Sequence, residues 1–481
     1  MTYDLLVIGG GINGAGIARD AAGRGLSVLL VEKDDLGSAT SSSSSKLIHG
    51  GLRYLEQYEF RLVAEALAER EVLLRVNGHL VWPIRFVMPH VPDLRPRWMI
   101  RAGLFLYDHL ARRTSLPGSR AVQLGPASGL KSHLRHGFEY SDCRVDDARL
   151  VVANAMGARE LGATVLTRSA VISARRDGDR WKVEVDKRAP VSARAIVNAA
   201  GPWVKEVLSG RLGQPSRDAV RLVKGSHIVV PRLYQGDHAF ILQNDDRRVV
   251  FMIPYGDEHT LVGTTDVPEP QPDRPQASDA EVAYLCRAVN RYLARPLEPG
   301  GVVWRYAGIR PLHDDGSADP SEVTRDYALR VHDAGGKVPV LSVFGGKITT
   351  YRRLAEEAVD RLTPYFPRLR GAWTSRQPLS GSDFGGATRE QARDAFFARH
   401  SRIPQAVLRP IFRRHGAHAD AVVGDGDLGE HLGAGLSERE VRYFREHEWA
   451  CSAEDVLWRR TKAGLVLSAA QRARVAEAVG R

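Results

Sequence analysis

The first 32 residues constrain the fold more than any other stretch of the chain. Tyr3-Asp-Leu-Leu-Val-Ile8 reads as a buried strand, Gly9 to Gly14 as a tight turn, and Ala15 to Gly25 as a helix. Val28 to Val31 reads as a second strand ending at Glu32. The turn, Gly9-Gly-Gly-Ile-Asn13-Gly14, matches G-x-G-x-x-G in the strand–turn–helix context that gives this otherwise weak pattern its meaning. Gly9 permits the turn, Gly11 lets a pyrophosphate approach the backbone, and Gly14 lets helix and strand pack closely. The helix N-terminus favours the anion. Glu32 is placed to accept hydrogen bonds from an adenosine ribose. A second match, Gly424-Asp-Gly-Asp-Leu-Gly429, carries Asp425 and Asp427 inside the loop and Glu430 just after it. Those charges repel a pyrophosphate, so it reads as a solvated turn. One credible motif argues for one dinucleotide.

At 481 residues the chain should hold two to four domains. A content of 43% hydrophobic and 26% charged residues excludes a disordered chain, a collagen-like fibre and a multi-span membrane protein. No run of about 18 apolar residues is present. Met1 to Ile8 lacks a basic n-region and a cleavage site, so no secretory signal is expected. Cys143, Cys286 and Cys451 are few, odd in number and widely spaced, which argues against a disulfide framework or a metal cluster and for a reducing, cytoplasmic compartment. The formal charge of +11 leaves nucleic acid, an anionic membrane surface and an anionic substrate all open.

Further along, Ser41 to Ser45 looks like a linker by composition, but Lys46-Leu-Ile-His-Gly-Gly-Leu-Arg-Tyr-Leu55 after it does not. Tyr58 to Val76 has helical periodicity. Residues 80–140 are Pro- and Arg-rich, with one helical stretch at Trp98 to Arg112. Strands are expected at 163–173, 181–185, 194–199, 226–230, 249–253, 259–263 and 338–344. Helices are expected at 279–295 and from Thr350 to Leu362. Residues 268–276 form a Pro-rich linker, and from about 388 the strand signal vanishes and a helical domain is expected. Two further segments bear on the cofactor. Ile196-Val-Asn-Ala-Ala-Gly-Pro-Trp203 looks like the segment with which FAD oxidoreductases return to close over the flavin nucleotide, and Val343-Phe-Gly-Gly-Lys-Ile-Thr-Thr350 brings glycines to the start of a helix. With the first motif they indicate a discontinuous FAD fold.

Six dispersed motifs carry a family resemblance. They are Gly9 to Gly16, Ser44 to Tyr54, Lys224-Gly-Ser-His-Ile-Val-Val230, Gly308-Ile-Arg-Pro-Leu312, Thr324-Arg-Asp-Tyr327 and Phe344-Gly-Gly-Lys347. Together they resemble FAD-dependent glycerol-3-phosphate dehydrogenase, most of all the aerobic respiratory enzyme. Asp455 to Lys462 extends the likeness into the C-terminal helices. The resemblance implies an α/β fold: a Rossmann-like FAD-binding domain (1–80, 140–215 and 330–370), a mixed-sheet substrate-binding and membrane-facing domain (81–139 and 216–329) and a helical C-terminal domain (388–481). It implies oxidation of sn-glycerol 3-phosphate to dihydroxyacetone phosphate, reduction of FAD, passage of electrons to a membrane quinone, and a homodimer. Oxygen-using relatives are longer by an insert not seen here, which favours a dehydrogenase. Carried over by motif, FAD contacts fall on Gly9, Gly11, Asn13, Gly14, Glu32, Ser44, Ser45, Lys46, His49, Gly50, Ala200, Gly201, Gly345, Gly346 and Thr349. Substrate contacts fall on Arg53, Tyr54, Arg310, Arg325 and Lys347, since a phosphate ester needs convergent cations and the guanidinium fork suits it. His227 is the first candidate for the base that takes the hydroxyl proton, His49 the second, and Arg310 is placed to assist electrostatically; imidazole titrates near the operating pH of such a base.

Between 85 and 120 there are seven Arg against Asp93 and Asp108, a net +5. On a helix over 98–112, Arg101, Asp108 and Arg112 share one stripe, with Met99, Ile100, Gly103, Leu106, Tyr107 and Leu110 opposite. This suits either a helix in an anionic membrane interface, spanning 95–113, or one packed on the core. A peripheral enzyme on the inner face of the cytoplasmic membrane is therefore expected, without nucleic acid, because no basic stripe with interleaved aromatics is visible. Another amine- or hydroxy-acid-oxidising flavoenzyme of the same fold, and a basic FAD-containing RNA-modifying protein, remain the rival readings.

Overall fold

The computed structural model describes residues 2–91, 94–215, 218, 220–246, 248–314 and 326–481. Strand β1 (Thr2–Ile8), helix α1 (Ile12–Gly23) and strand β2 (Val28–Val31) form the opening unit, with β1 and β2 parallel. β1 also runs parallel to Val191–Asn198, which runs parallel to Val340–Phe344, while β2 pairs in parallel with Thr164–Leu166. Three segments far apart in sequence thus share one sheet. The central runs Leu5–Ile8, Val28–Val31, Ala195–Val197 and Val340–Leu341 are apolar and buried, as expected of parallel strands covered on both faces. One covering layer is α1, which packs on α4 (Asp147–Glu160) and on the helix Tyr351–Asp360.

A second, mixed sheet lies beside the first. Its long strands are Val81–Pro89, His136–Val145, Val220–Pro231 and Trp304–His313. The last two pair antiparallel over ten residues, from Val220↔His313 to Val229↔Trp304. Val81–Pro89 pairs along its whole length with His136–Val145, so the Pro- and Arg-rich stretch is built into a sheet. Pro83 and Arg85 hide that strand from its sequence pattern, and Arg85 reaches the carboxylate of Glu139 at 2.5 Å.

Helix α2 (Phe60–Val76) and helix α3 (Arg97–His109) form close to where they are expected. The orientation of α3 divides the expected apolar stripe between core and surface. Ile100, Leu104 and Tyr107 turn inward onto the core, and the Tyr107 hydroxyl donates to buried Asp142 at 2.7 Å. The outward apolar residues are Trp98, Met99 and Phe105, exposed by 70%, 45% and 62%. Arg95 pairs with Glu56 and so ties this segment to the loop that carries Tyr58, itself 80% exposed.

The C-terminal region is helical, as expected, apart from a short hairpin, His431–Gly433 with Leu436–Ser437. Buried ion pairs lock it to the first layer. Arg460 is fully buried and donates two hydrogen bonds to Asp35 at 2.6 and 2.8 Å, while Arg459 reaches the same carboxylate at 2.6 Å. Arg149 of α4 pairs with Glu448, and His415 lies 2.9 Å from Glu440. Asp35 sits three residues past Glu32, so the C-terminal helices brace the loop that leaves β2.

Candidate functional site

A cavity of about 740 Å³ lies at the junction of the two sheets. One wall is built by the first sheet: Gly9, Gly11 and Asn13 from the opening turn, Glu32 from the end of β2, Ala200 and Gly201, then Gly345, Gly346 and Thr349. The opposite wall comes from the second sheet, with Gly225, His227, Gly308 and Arg310. The serine run, Ser43 to Ser45, lies between them. The parallel strands β1, β2, Val191–Asn198 and Val340–Phe344 end at this crevice, which is where open α/β sheets bind their ligands, while the second sheet offers the middle of two strands.

The glycine turn has the geometry its spacing implies. A Cβ on Gly14 would sit 1.9 Å from the carbonyl oxygen of Gly9, so only glycine lets α1 start this close to β1. The Gly10 N–H donates to Glu32 at 2.6 Å and the Asp34 N–H donates to its other oxygen at 2.8 Å. Burial pushes the Glu32 carboxyl upward, and these two donors oppose that push. Ser41 Oγ accepts from the Ile12 N–H at 3.0 Å and so covers one donor of the helix start. Asn13 donates to the Gly345 carbonyl at 3.2 Å and joins the first glycine motif to the last; its Oδ1 is buried with no hydrogen-bond partner among the described residues.

At the other end, Arg310 donates to Asp266 at 2.5 Å, to the Thr265 carbonyl at 3.2 Å and to Thr264 Oγ1 at 2.9 Å. A Cβ on Gly225 would meet Arg310 Nη2 at 2.2 Å, so this glycine is the floor on which the guanidinium lies. The Lys347 ammonium stands 4.1 Å above the ring of Tyr54, and both residues line the cavity. His227 shares a 2.9 Å hydrogen bond with Ser45 Oγ through Nε2 and stacks on Tyr306 at 4.9 Å. Its Nδ1 is buried without a hydrogen-bond partner among the described residues. Burial, then the charges of Arg310 and Lys46, hold this imidazole well below the ordinary histidine range, so it is neutral at pH 7. Burial also lowers His49, with Asp142 opposing and Lys347 adding to the shift.

The structure brings most of the sequence-selected residues to this cavity but not all. Lys46 turns away: its ammonium pairs at 2.8 Å with Asp147, a fully buried carboxylate that also accepts from the hydroxyl and N–H of Ser44. Burial would raise the Asp147 carboxyl, yet Lys46, Lys462 and Ser44 hold it low. Lys46 thus anchors the serine run from behind. Gly50 lies behind the wall, where a Cβ would meet Leu67 at 2.6 Å and Tyr107 Oη at 2.7 Å. Gly14 likewise packs and does not line. Arg53 is outside the lining and stacks on Tyr54 at 6.0 Å. Arg325 lies outside the described residues. Sequence reasoning missed Thr264, Asp266, Tyr306 and Asp147, which hold the others in place. It also missed the closing contacts at the β2 end, where Trp203 donates to Asp273 at 3.2 Å and Lys33 stands 4.6 Å over the Trp203 ring.

A family model described as FAD dependent oxidoreductase matches residues 4–352, and one described as the C-terminal domain of alpha-glycerophosphate oxidase matches 372–480. An aerobic glycerol-3-phosphate dehydrogenase of Escherichia coli is 51% identical, over 99% of this chain and 97% of its own length. The chain belongs to the FAD-dependent glycerol-3-phosphate dehydrogenase family. A protein named D-erythritol 1-phosphate dehydrogenase, from Brucella abortus, is 50% identical over the same shares of both chains. Among solved structures, a glycerol-3-phosphate dehydrogenase from Bacillus halodurans complexed with FAD superposes with a TM-score of 0.75 at 26% identity, covering 100% of this chain and 94% of that one. The cavity suits the dinucleotide of this dehydrogenase family. It has the glycine cradle and a carboxylate at the end of β2, and it is lined by Asn13 and His227, each with a buried polar atom that has no hydrogen-bond partner among the described residues.

Proposed function

We propose that the chain oxidises sn-glycerol 3-phosphate to dihydroxyacetone phosphate and hands the electrons to a membrane quinone. The observation that carries this reading is the meeting, in one cavity, of the glycine cradle with Arg310, Lys347, Tyr54 and a neutral His227. FAD, when bound, would supply the hydride acceptor. Gly9, Gly11, Glu32, Ala200, Gly201, Gly345, Gly346 and Thr349 would hold it, and Ser44 and Ser45 line the same cavity. Arg310 and Lys347 bind the phosphate as two cations of fixed position, and Tyr54 orients the Lys347 ammonium. Each such charge-assisted contact contributes about 1.5–3 kcal/mol. His227 accepts the hydroxyl proton, because a buried neutral imidazole with a free ring nitrogen is a proton acceptor. The Ser45 hydroxyl, which can donate to Nε2 or accept from it, orients the ring. Arg310 stabilises the oxygen left behind.

The membrane part of the proposal rests on α3. No helix among the described residues is long and apolar enough to cross a membrane. Trp98, Met99 and Phe105 project from a helix flanked by Arg95, Arg97, Arg101, Arg112 and Arg113, which suits insertion into an anionic interface on the cytoplasmic side. The equal similarity to an erythritol 1-phosphate enzyme supports a second reading of the same site, in which the substrate is a four-carbon polyol phosphate. One experiment separates the two. The purified flavoprotein is mixed anaerobically with sn-glycerol 3-phosphate, D-erythritol 1-phosphate or glycerol, and flavin bleaching is followed before a quinone analogue is added. Fast bleaching by sn-glycerol 3-phosphate and recovery with the quinone are expected. Bleaching by neither phosphate rejects both readings.

A further inference from the structure

Outside the cavity, three arginines converge on one tryptophan. The guanidinium carbons of Arg413, Arg389 and Arg144 lie 5.1, 5.3 and 5.6 Å from the ring centre of Trp82. Trp82 and Arg144 are direct cross-strand partners in the second sheet. Arg389 opens the helix Arg389–Arg399 and Arg413 lies in Gln405–His415, so the cluster sits at the seam between that sheet and the C-terminal helices.

None of the three guanidiniums has a carboxylate partner among the described residues, although most buried arginines of this chain have one. Like charges brought together and partly desolvated repel, and a structure keeps them only when something neutralises them. Arg389 feels this directly. Burial and the charges of Arg413, Arg393 and Arg144 outweigh the neighbouring Glu390 and bring its pKa down to about 10. Arg144 is lowered by burial and by Arg413, with Asp237 and Asp257 only partly opposing. Two more donors are idle. Trp82 is 8% exposed, and among the described residues neither its buried Nε1–H nor the buried Nε of Arg144 has a hydrogen-bond partner. A groove of about 430 Å³ runs beside Trp82 and Arg389, and Arg413 is exposed to solvent.

The geometry points to a second anion site here, distinct from the cavity, in which Arg144, Arg389, Arg413 and the Trp82 N–H bind a phosphate group. Three guanidiniums more than balance the charge of a phosphate dianion, and their planar forks match its oxygens. The phosphate is either a free ion or monoester or the headgroup of a phospholipid; the chemistry is the same, and the two sources are separated by experiment.

The test is equilibrium dialysis of the FAD-loaded full chain against labelled inorganic phosphate at constant ionic strength. The unmodified protein retains one more phosphate per chain than Arg389→Gln/Arg413→Gln, while Arg310→Ala, which acts on the cavity, keeps that additional phosphate. Arg413→Gln alone, at an exposed position that tolerates change, weakens retention by about 10-fold or more and serves if the double variant does not fold. Phosphate perturbs the tryptophan emission of the unmodified chain, and Trp82→Phe removes that part of the response. In a second arm the chain is floated with phosphatidylglycerol or phosphatidylcholine vesicles. Capture by the anionic vesicles that needs Arg389 and Arg413, without retention of free phosphate, assigns the site to a lipid headgroup. Equal phosphate retention by the unmodified chain and the double variant, together with equal vesicle capture, overturns the proposal. So does arginine-dependent dimerisation in sedimentation without phosphate or vesicle binding, which would give the cations to a second copy of the chain.

Discussion

His227 Nε2 and Ser45 Oγ lie 2.9 Å apart and join the second sheet to the serine run of the first layer. The contact fixes the ring plane of the proposed base and directs Nδ1 into its own unpartnered position. Because burial holds this imidazole well below the ordinary histidine range, it stays neutral as pH falls past 6.5. The acid limb of kcat/KM for glycerol 3-phosphate should therefore lie below pH 6.5. His227→Gln should lower kcat by about 10²–10⁴-fold and abolish that limb. An unchanged pH profile in this variant would move the proton to another group, His49 first.

Arg310 should separate substrate from cofactor. Its guanidinium is held by Asp266 and Thr264 over Gly225, in the cavity wall built by the second sheet, whereas Glu32 belongs to the first. Arg310→Ala should keep the flavin spectrum and lose about 1.5–3 kcal/mol of transition-state binding for each charge-assisted contact removed. Asp266→Asn should show a smaller loss, since the arginine remains but is less firmly aimed. Steady-state kinetics alongside a flavin-to-protein ratio measure both. Wild-type turnover in Arg310→Ala would remove the phosphate-pocket argument.

Much of this site was legible in the sequence because its backbone requirements are local. Gly9, Gly11, Gly14, Gly345 and Gly346 announce turns that other residues tolerate poorly, and Glu32 follows at a set spacing. The residues that hold the site in place were not legible. Asp147, Thr264, Asp266 and Tyr306 reach their partners from distant parts of the chain and belong to no local motif. The same physics hid α4. From Asp147 to Ala158 all of its residues are buried, with Arg149 and Asp147 satisfied in ion pairs, so no apolar stripe marks it as a helix. The stripe on α3 was visible, but periodicity alone left open whether it meets a membrane or the protein; Ile100 and Tyr107 of that stripe pack on the core, while Met99 is exposed.

Gly14→Ala tests the cradle. The added Cβ would fall 1.9 Å from the Gly9 carbonyl oxygen, a backbone atom that cannot swing aside. The start of α1 must then shift away from β1, at a cost of about 1–3 kcal/mol for overpacking. The variant should purify with depleted FAD, seen as a lower flavin-to-protein absorbance ratio, and should regain little on incubation with excess FAD.

The C-terminal brace should fail in acid. Burial would raise the Glu448 carboxyl, but Arg149 and His415 hold it far below the usual carboxylate range, and Asp455 is brought down to about 2 against its burial by the Cys451 N–H and then by Arg459 and Arg168. A carboxylate depressed in the folded state stabilises the fold above its unfolded pKa, and that contribution fades as pH falls toward the folded value. Stability should therefore drop progressively below about pH 4.5, the ordinary carboxylate range. Arg149→Met leaves Glu448 buried without its main partner and should cost about 3–5 kcal/mol in urea unfolding at neutral pH. It should also flatten the acid dependence.

Membrane contact should follow the outward face of α3 and spare the inward one. Trp98 and Phe105 are largely exposed, whereas Ile100, Leu104 and Tyr107 belong to the core. Trp98→Ala/Phe105→Ala should leave soluble turnover with a dye acceptor unchanged, because neither residue lines the cavity. It should also weaken flotation with anionic vesicles, by about 1.5–3 kcal/mol for each apolar side chain no longer buried in the interface. Arg101→Gln should weaken binding by a smaller, salt-dependent amount of about 1 kcal/mol. Leu104→Ala, in contrast, should lower thermal stability by about 2–5 kcal/mol through the cavity it leaves, with little specific effect on flotation. Equal flotation of the unmodified chain and the Trp98→Ala/Phe105→Ala variant would show that α3 does not carry the membrane contact and that its exposed aromatics serve another partner.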